Sequence, residues 1–196
     1  MSELEEPTPS GISRRTVTKA MAWAVPVIAI AAPVPAFAAS GGPPTGVFNG
    51  ACKLPGNACG NVFVKGYVLE FVLTNSSGED IYLYNVSPGF QVVVVENVNP
   101  DISLTFQAAV DSNGNVVLSP TVTTYLFPAG TSVTVILNAG TNDNSAQSEI
   151  GGTVSFPWGH NPTPPDPDNH PPLVIPFYAA VTPPEQNPDC TVDVPC

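Results

Sequence analysis

Downstream of residue 60 the chain is written in period two. Tyr67, Leu69, Phe71 and Leu73 alternate with Val68, Glu70, Val72 and Thr74, which predicts a long strand, Val62 to Thr74, with one face inward. Asn75-Ser76-Ser77-Gly78 turns into a second strand, Ile81 to Val86, ended by Pro88-Gly89. A third, Phe90 to Glu96, carries four successive valines, Val92 to Val95, a run that normally belongs to a well-covered strand. Ile102, Leu104, Phe106, Ala108 and Val110 then alternate with Ser103, Thr105, Gln107 and Ala109, predicting a strand with one wet face. Asp111-Ser112-Asn113-Gly114-Asn115 reads as a hairpin turn, because Asn-Gly supplies positive φ angles. Its partner starts at Val116, and Pro120 places that strand at an edge or breaks it before Val122 to Phe127. Thr131 to Leu137, Ile150 to Trp158 with a bulge expected at Gly151-Gly152, and Leu173 to Thr182 complete the series. No helical periodicity follows Ala39 and no internal repeat is visible. Eight or so short strands with regular turn signals predict an all-β, antiparallel β-sandwich.

The front of the chain follows a different rule. Ser13-Arg14-Arg15-Thr16-Val17-Thr18-Lys19 precedes an apolar run from Ala20 to Ala32, and Ala36-Phe37-Ala38 ends the segment before Ala39. A positive region, an apolar region and a small-x-small end are the three parts of a secretory signal peptide, with cleavage expected between Ala38 and Ala39. Ser-Arg-Arg-x-x-x-Lys resembles the twin-arginine export signal, carried here by Arg14, Arg15 and Lys19. Val17 and Thr18 stand where that family usually carries phenylalanine and leucine, which leaves the general secretory route open beside it. The resemblance implies a bacterial protein that folds in the cytoplasm, with a twin-arginine translocase and a signal peptidase as partners during export. It also implies a secreted or envelope-associated location. The competing reading is a membrane anchor, since Ala20 to Ala39 is long enough to span; Pro26, Pro33 and Pro35 oppose a continuous helix there. The expected division is therefore a signal peptide over 1–38, a Gly- and Pro-rich flexible leader with the first cysteine pair over 39–60, and the sandwich over 61–196, with no membrane span in the mature chain.

Charge narrows the partners. The full chain carries a formal net charge of −11, and beyond Ala38 only Lys53 and Lys65 remain against thirteen carboxylates, again −11. No nucleic-acid partner is expected, because binding it needs cations to displace counterions from phosphates. Four cysteines remain, Cys52, Cys59, Cys190 and Cys196, and an even count outside the cytoplasm predicts disulfides. Three connectivities are open. Spacing favours local pairing, Cys52 with Cys59 and Cys190 with Cys196, each loop worth about 2.5 kcal/mol; crossed pairing would tie the first strand to the last and be worth about 5 kcal/mol.

Two patches carry a second resemblance. Phe71-Val72-Leu73-Thr74-Asn75-Ser76-Ser77-Gly78-Glu79-Asp80-Ile81-Tyr82-Leu83 and Leu126-Phe127-Pro128-Ala129-Gly130-Thr131-Ser132-Val133-Thr134-Val135 are similar to the immunoglobulin-like domains of secreted bacterial surface proteins. The resemblance implies an immunoglobulin-like β-sandwich serving as an adhesive module, spacer or scaffold, with no shared catalytic residues.

Candidate chemistry is sparse. A hydrolase needs a nucleophile with a base in reach, and the two histidines, His160 and His170, both fall in a proline-rich passage from Pro157 to Pro172. No Gly-x-Ser-x-Gly elbow is present, so the chain is expected to be no enzyme. His160, Asp166, Asp168 and His170 offer nitrogen and oxygen ligands suited to zinc or copper, and this is the alternative function, a secreted metal-binding protein. For calcium, Asp111-x-Asn113-x-Asn115 copies the start of an EF-hand loop but has Val122 where the bidentate glutamate belongs; Asn142, Asp143 and Asn144 with Glu149 are a second set. The expectation is no resident cofactor, and a protein or glycan partner held by loops or by an exposed sheet face. Tyr82 and Tyr84, on one side of their strand, are candidate contact residues, with burial in the sandwich as the competing reading.

Overall fold

The computed structural model describes residues 42–54, 65–86, 89–140, 147–164 and 170–195. The export segment with Arg14, Arg15, Lys19 and Ala36 to Ala39 lies outside them, as do Cys59, Cys196, Asp166 and Asp168. The described chain is all-β. Its strands are β1 (Thr45–Leu54), β2 (Gly66–Thr74), β3 (Ile81–Tyr84), β4 (Val93–Glu96), β5 (Phe106–Asp111) and β6 (Val116–Leu118), followed by β7 (Thr124–Phe127), β8 (Ser132–Ala139), β9 (Ile150–Phe156), β10 (Trp158–Gly159) and β11 (Leu173–Ala179). Every paired strand is antiparallel to its neighbour.

One layer is a five-stranded sheet of order β1-β2-β8-β5-β6; the other combines β11-β9-β4 with β10-β3-β7. β10 resumes the line of β9 after Pro157, and the Tyr84 N–H donates to the Pro157 carbonyl at that seam, so the two three-stranded sheets share a column. The layers meet through aromatic pairs, Phe48 against Phe177 with ring centroids 6.0 Å apart and Phe71 against Phe156 at 6.1 Å. β1-β2-β8-β5 faces β11-β9-β4 in an antiparallel β-sandwich, with β7 beside β3. Eleven elements replace the eight expected because β1 was unforeseen, Pro120 separates β6 from β7, and Pro157 separates β9 from β10.

Within the flexible leader expected over 39–60, β1 corrects the expectation for residues 45–54, while 39–41 and 55–60 lie outside the described residues. Its glycines looked like loop residues, yet they mark close approaches: a Cβ on Gly46 would sit 2.2 Å from Ile175 Cδ1 on β11, and one on Gly50 2.6 Å from Thr191 Oγ1. Asn49 is the extra residue of a bulge between Phe48 and Gly50, and its side-chain amide donates to the buried Glu70 carboxylate.

The second face of β2 is covered too. Val68 on β2, Val110 on β5 and Ile136 on β8 form a second apolar cluster with Cys52, Leu54, Val192 and Val194. The C-terminal tail lies over the outer face of the five-stranded sheet, from Gly50, which abuts Thr191, to Gly114, which faces Pro195. Cys52 is bonded to Cys190 across 138 residues, which overturns the expected pairing of Cys52 with Cys59 and of Cys190 with Cys196. Sequence spacing measures distance along the chain, whereas here the tail is folded back onto the first strand. Nor does Gly151-Gly152 form a bulge: both residues hold regular register, and a Cβ on Gly152 would lie 1.8 Å from the Val95 carbonyl oxygen, so β4 seats against bare backbone.

Asn75 joins the two patches that carry the immunoglobulin-like resemblance. Fully buried, it donates to the Phe127 and Glu79 carbonyls and accepts from the Ser77 N–H, while its backbone pairs with Thr131 and Gly130. Each of its side-chain hydrogen bonds contributes on the order of 1 kcal/mol.

The crosslink yields a direct prediction. Replacing Cys52 and Cys190 together by serine is expected to lower the unfolding free energy by about 5 kcal/mol, the chain-entropy value for so long a loop, read from the urea midpoint. A loss below about 1 kcal/mol would mean that the disulfide contributes little beyond the packing of Val192 and Val194.

Candidate functional site

The outer face of β11-β9-β4 is built by registers that place like residues in rows. Val93, Ser155 and Val174 form one row, and Val95, Thr153 and Pro176 the next. Gly151 and Tyr178 follow, with Val98 against Gly151 on the other side. The inward partners Val154, Ile175 and Phe177 are core residues, so alternation fixes the orientation of the row residues toward solvent. Val93 is 47% exposed, Val95 52%, Val174 52% and Tyr178 57%. None of these side chains is charged. The four-valine run therefore does not lie in a well-covered strand: only its alternate members turn inward, and Val93 and Val95 stand in water.

Chemistry at the rim is limited. The Tyr178 hydroxyl donates to Glu149 Oε1 at 2.8 Å, and that hydrogen bond raises the phenol above its ordinary value. Beyond Ser155 the face runs into a pocket of about 410 Å³ bounded by Phe90, Gln91, Pro157, Trp158, His170 and Pro172. A larger open hollow of about 640 Å³ lies between the β4 side and the approach to β5, lined by residues such as Asn85, Val92, Leu104 and Phe106. Asn85 is already engaged there, donating to the Ser119 carbonyl and accepting from the Val92 N–H. The described lining of the larger hollow holds no His, Cys, Asp or Glu, whereas the smaller pocket is lined by both Ser155 and His170.

The structure brings together His160 and His170. Their ring centroids are 4.9 Å apart, and both pack on Trp158, His170 stacked at 4.2 Å and His160 edge-on at 5.8 Å. The Trp158 indole N–H donates to the Pro171 carbonyl, which fixes the platform. His160 Nδ1 lies 3.6 Å from Glu79 Oε2, an acid that the sequence reading did not connect with it. His170 Nε2 is buried with no hydrogen-bond partner among the described residues. Asp166 and Asp168 lie outside those residues, and among the described residues no group of three His, Cys, Asp or Glu side chains is arranged to hold a metal ion.

The first calcium candidate is engaged within its own turn. Asp111 accepts from the Asn113 and Asn115 N–H groups and from the Asn115 side chain, so its carboxylate closes its own turn. Burial pushes the Asp111 carboxyl up, but those hydrogen bonds outweigh it and hold the group below its ordinary value. Asn142, Asp143 and Asn144 lie outside the described residues, and Glu149 is engaged by Tyr178. Tyr84 is buried, its ring edge-on to Phe90 and its hydroxyl donating to the Asn161 carbonyl, whereas Tyr82 is half-buried.

The residues missed by sequence reasoning are Val93, Val95, Val174 and Tyr178. A signal was present: β11 alternates Val174, Pro176 and Tyr178 with Ile175 and Phe177, so it is non-ionic on both faces in an acidic chain. Comparison with protein-family models, with curated proteins and with solved structures finds no match to this chain.

Glu96, on the inward side of β4, provides a pH probe of this sheet. Burial raises its carboxyl above the ordinary glutamate value, offset in part by a hydrogen bond from the Leu104 backbone, and its Oε1 has no hydrogen-bond partner among the described residues. The folded chain then holds a proton that the unfolded chain has released, so stability falls as pH rises between the ordinary and the raised value. Glu96→Gln is expected to raise the urea midpoint at pH 7 and leave it unchanged at pH 4; equal midpoints at pH 7 would contradict this.

Proposed function

We propose that this chain is an exported, non-catalytic interaction module, secreted or held at the bacterial cell envelope, that binds its partner through the outer face of β11-β9-β4. The observation that carries the reading is the absence of charge on that face in a chain of net charge −11. Exposed valines on both sides of Thr153 and Ser155 lower solubility without any return in core packing, and an uncharged, largely apolar surface of this kind supports an interaction site. The twin-arginine resemblance at Arg14, Arg15 and Lys19 supports delivery beyond the membrane.

The test uses cells producing the full chain. Wild type is expected as a species beginning at Ala39 in medium or envelope fractions, and Arg14→Lys with Arg15→Lys is expected to retain the precursor inside. Val95→Asp with Val174→Asp should be exported normally and bind envelopes at least 10-fold less than wild type. Equal envelope binding by the two forms would sink the reading.

The convergence of His160 and His170 on Trp158 favours one second reading, a secreted zinc- or copper-binding protein. It predicts one equivalent of metal per chain, retained through gel filtration and lost in His170→Ala. A chain that elutes free of metal after incubation with either ion would exclude it.

A further inference from the structure

We infer that the outer face of β11-β9-β4 and the pocket at its end form a trough for an uncharged, proline-rich segment of another polypeptide in extended conformation. This rests on the interaction-module reading above and names its partner class. The rows continue in phase: beyond Val93, Ser155 and Val174, the next positions are Gln91, Pro157 and Pro172, all of which line the pocket. Four rows spaced two residues apart make a trough about 20 Å long, and three strands make it about 10 Å across between outer strand axes. That footprint is far below the roughly 800 Å² per partner of a stable protein–protein interface, so it does not suit a second copy of this chain. It matches six or seven residues of polyproline II helix at about 3.1 Å per residue.

Charge and polarity select the occupant. The floor offers aliphatic surface from Val93, Val95, Val174 and Pro176, and hydroxyls only from Thr153 and Ser155. The Tyr178 hydroxyl already donates to Glu149. A glycan laid here would lose water from its hydroxyls and find few replacements, which disfavours it. A charged side chain over the middle of the floor would be desolvated without a counter-ion beside it, since the Glu149 carboxylate lies at the Tyr178 end. Proline rings and aliphatic side chains lose nothing on this floor, and a polyproline II backbone keeps its polar groups in water. Aromatic rings stand at both ends, Tyr178 at one and Phe90 with Trp158 at the other, as in grooves that read such helices. Phe90 is itself braced edge-on by the buried Tyr84, so the pocket wall is fixed before any ligand arrives.

The experiment uses the protein recovered from producing cells and arrays of synthetic heptapeptides of proline, valine and leucine, beside the same peptides with a central lysine or aspartate. The uncharged peptides are expected to bind, the charged ones at least 10-fold more weakly. Val95→Asp and Val174→Asp should each reduce binding at least 10-fold and Phe90→Ala several-fold. Val47→Asp, an exposed valine on β1, should change nothing and serves as the fold control. Peptide binding that survives Val95→Asp and Val174→Asp would overturn the assignment, as would no peptide binding at all. So would capture of neutral oligosaccharides at this face, or a dimer in sedimentation that Val95→Asp dissolves. Those last two outcomes leave the interaction-module reading standing; that reading falls only if the same variants bind envelopes as wild type does.

Discussion

The fold depends on covering both faces of the five-stranded sheet. β2 and β8 carry apolar residues on each side, so packing against β11-β9-β4 alone would leave Val68, Val110 and Ile136 in water. The C-terminal tail supplies the missing cover with Val192 and Val194, each worth about 1.5–3 kcal/mol when fully buried. Two valines are a modest hold for a tail without secondary structure, and the Cys52–Cys190 bond makes the closure permanent. If the chain crosses the membrane already folded, as the export resemblance implies, the layers form under reducing conditions and the bond can close only afterwards.

Much of this was legible where local chemistry decides. Strict alternation gave β2 and β8, the Asn113-Gly114 turn gave the β5-β6 hairpin, and Asn75 marked the turn that its side chain does tie together. Failures came where distant chain segments decide. Gly46 and Gly50 read as leader because the reason for having no side chain there lies on β11 and on the tail, more than 120 residues away. The cysteine pairing failed for the same cause. The irregularity between Phe106 and Ala108 shifts the phase of the alternation over Ile102 to Val110, so Ala109 faces the core between the layers while Val110 faces the C-terminal tail.

The candidate site was half visible. His160 and His170 were singled out by residue type, and the structure joins them on Trp158, but no spacing rule connects either with Glu79. The exposed face was concealed by a sound rule applied too far. Consecutive valines usually mean a covered strand, yet β4 is covered on one side only. Sequence records how apolar a position is; burial depends on which layer arrives, and none among the described residues lies over Val93 and Val95.

An apolar face survives in water only if copies of the chain do not find it. Strand edges are the usual danger, and several here are blunted: segment 183–185 bonds to both backbone groups of Lys53 on β1, Pro176 removes a donor from β11, and Pro120 follows β6 closely. Charge provides the second safeguard. With a net charge of −11, two copies repel once their surfaces come within roughly a Debye length, about 8 Å at physiological salt, and the shorter-ranged attraction of the valine rows must overcome that repulsion. An uncharged peptide meets no such barrier. The same acidity that opposes binding to phosphates thus favours a neutral ligand over self-association on this face, and ties the composition of the whole chain to the chemistry of one sheet.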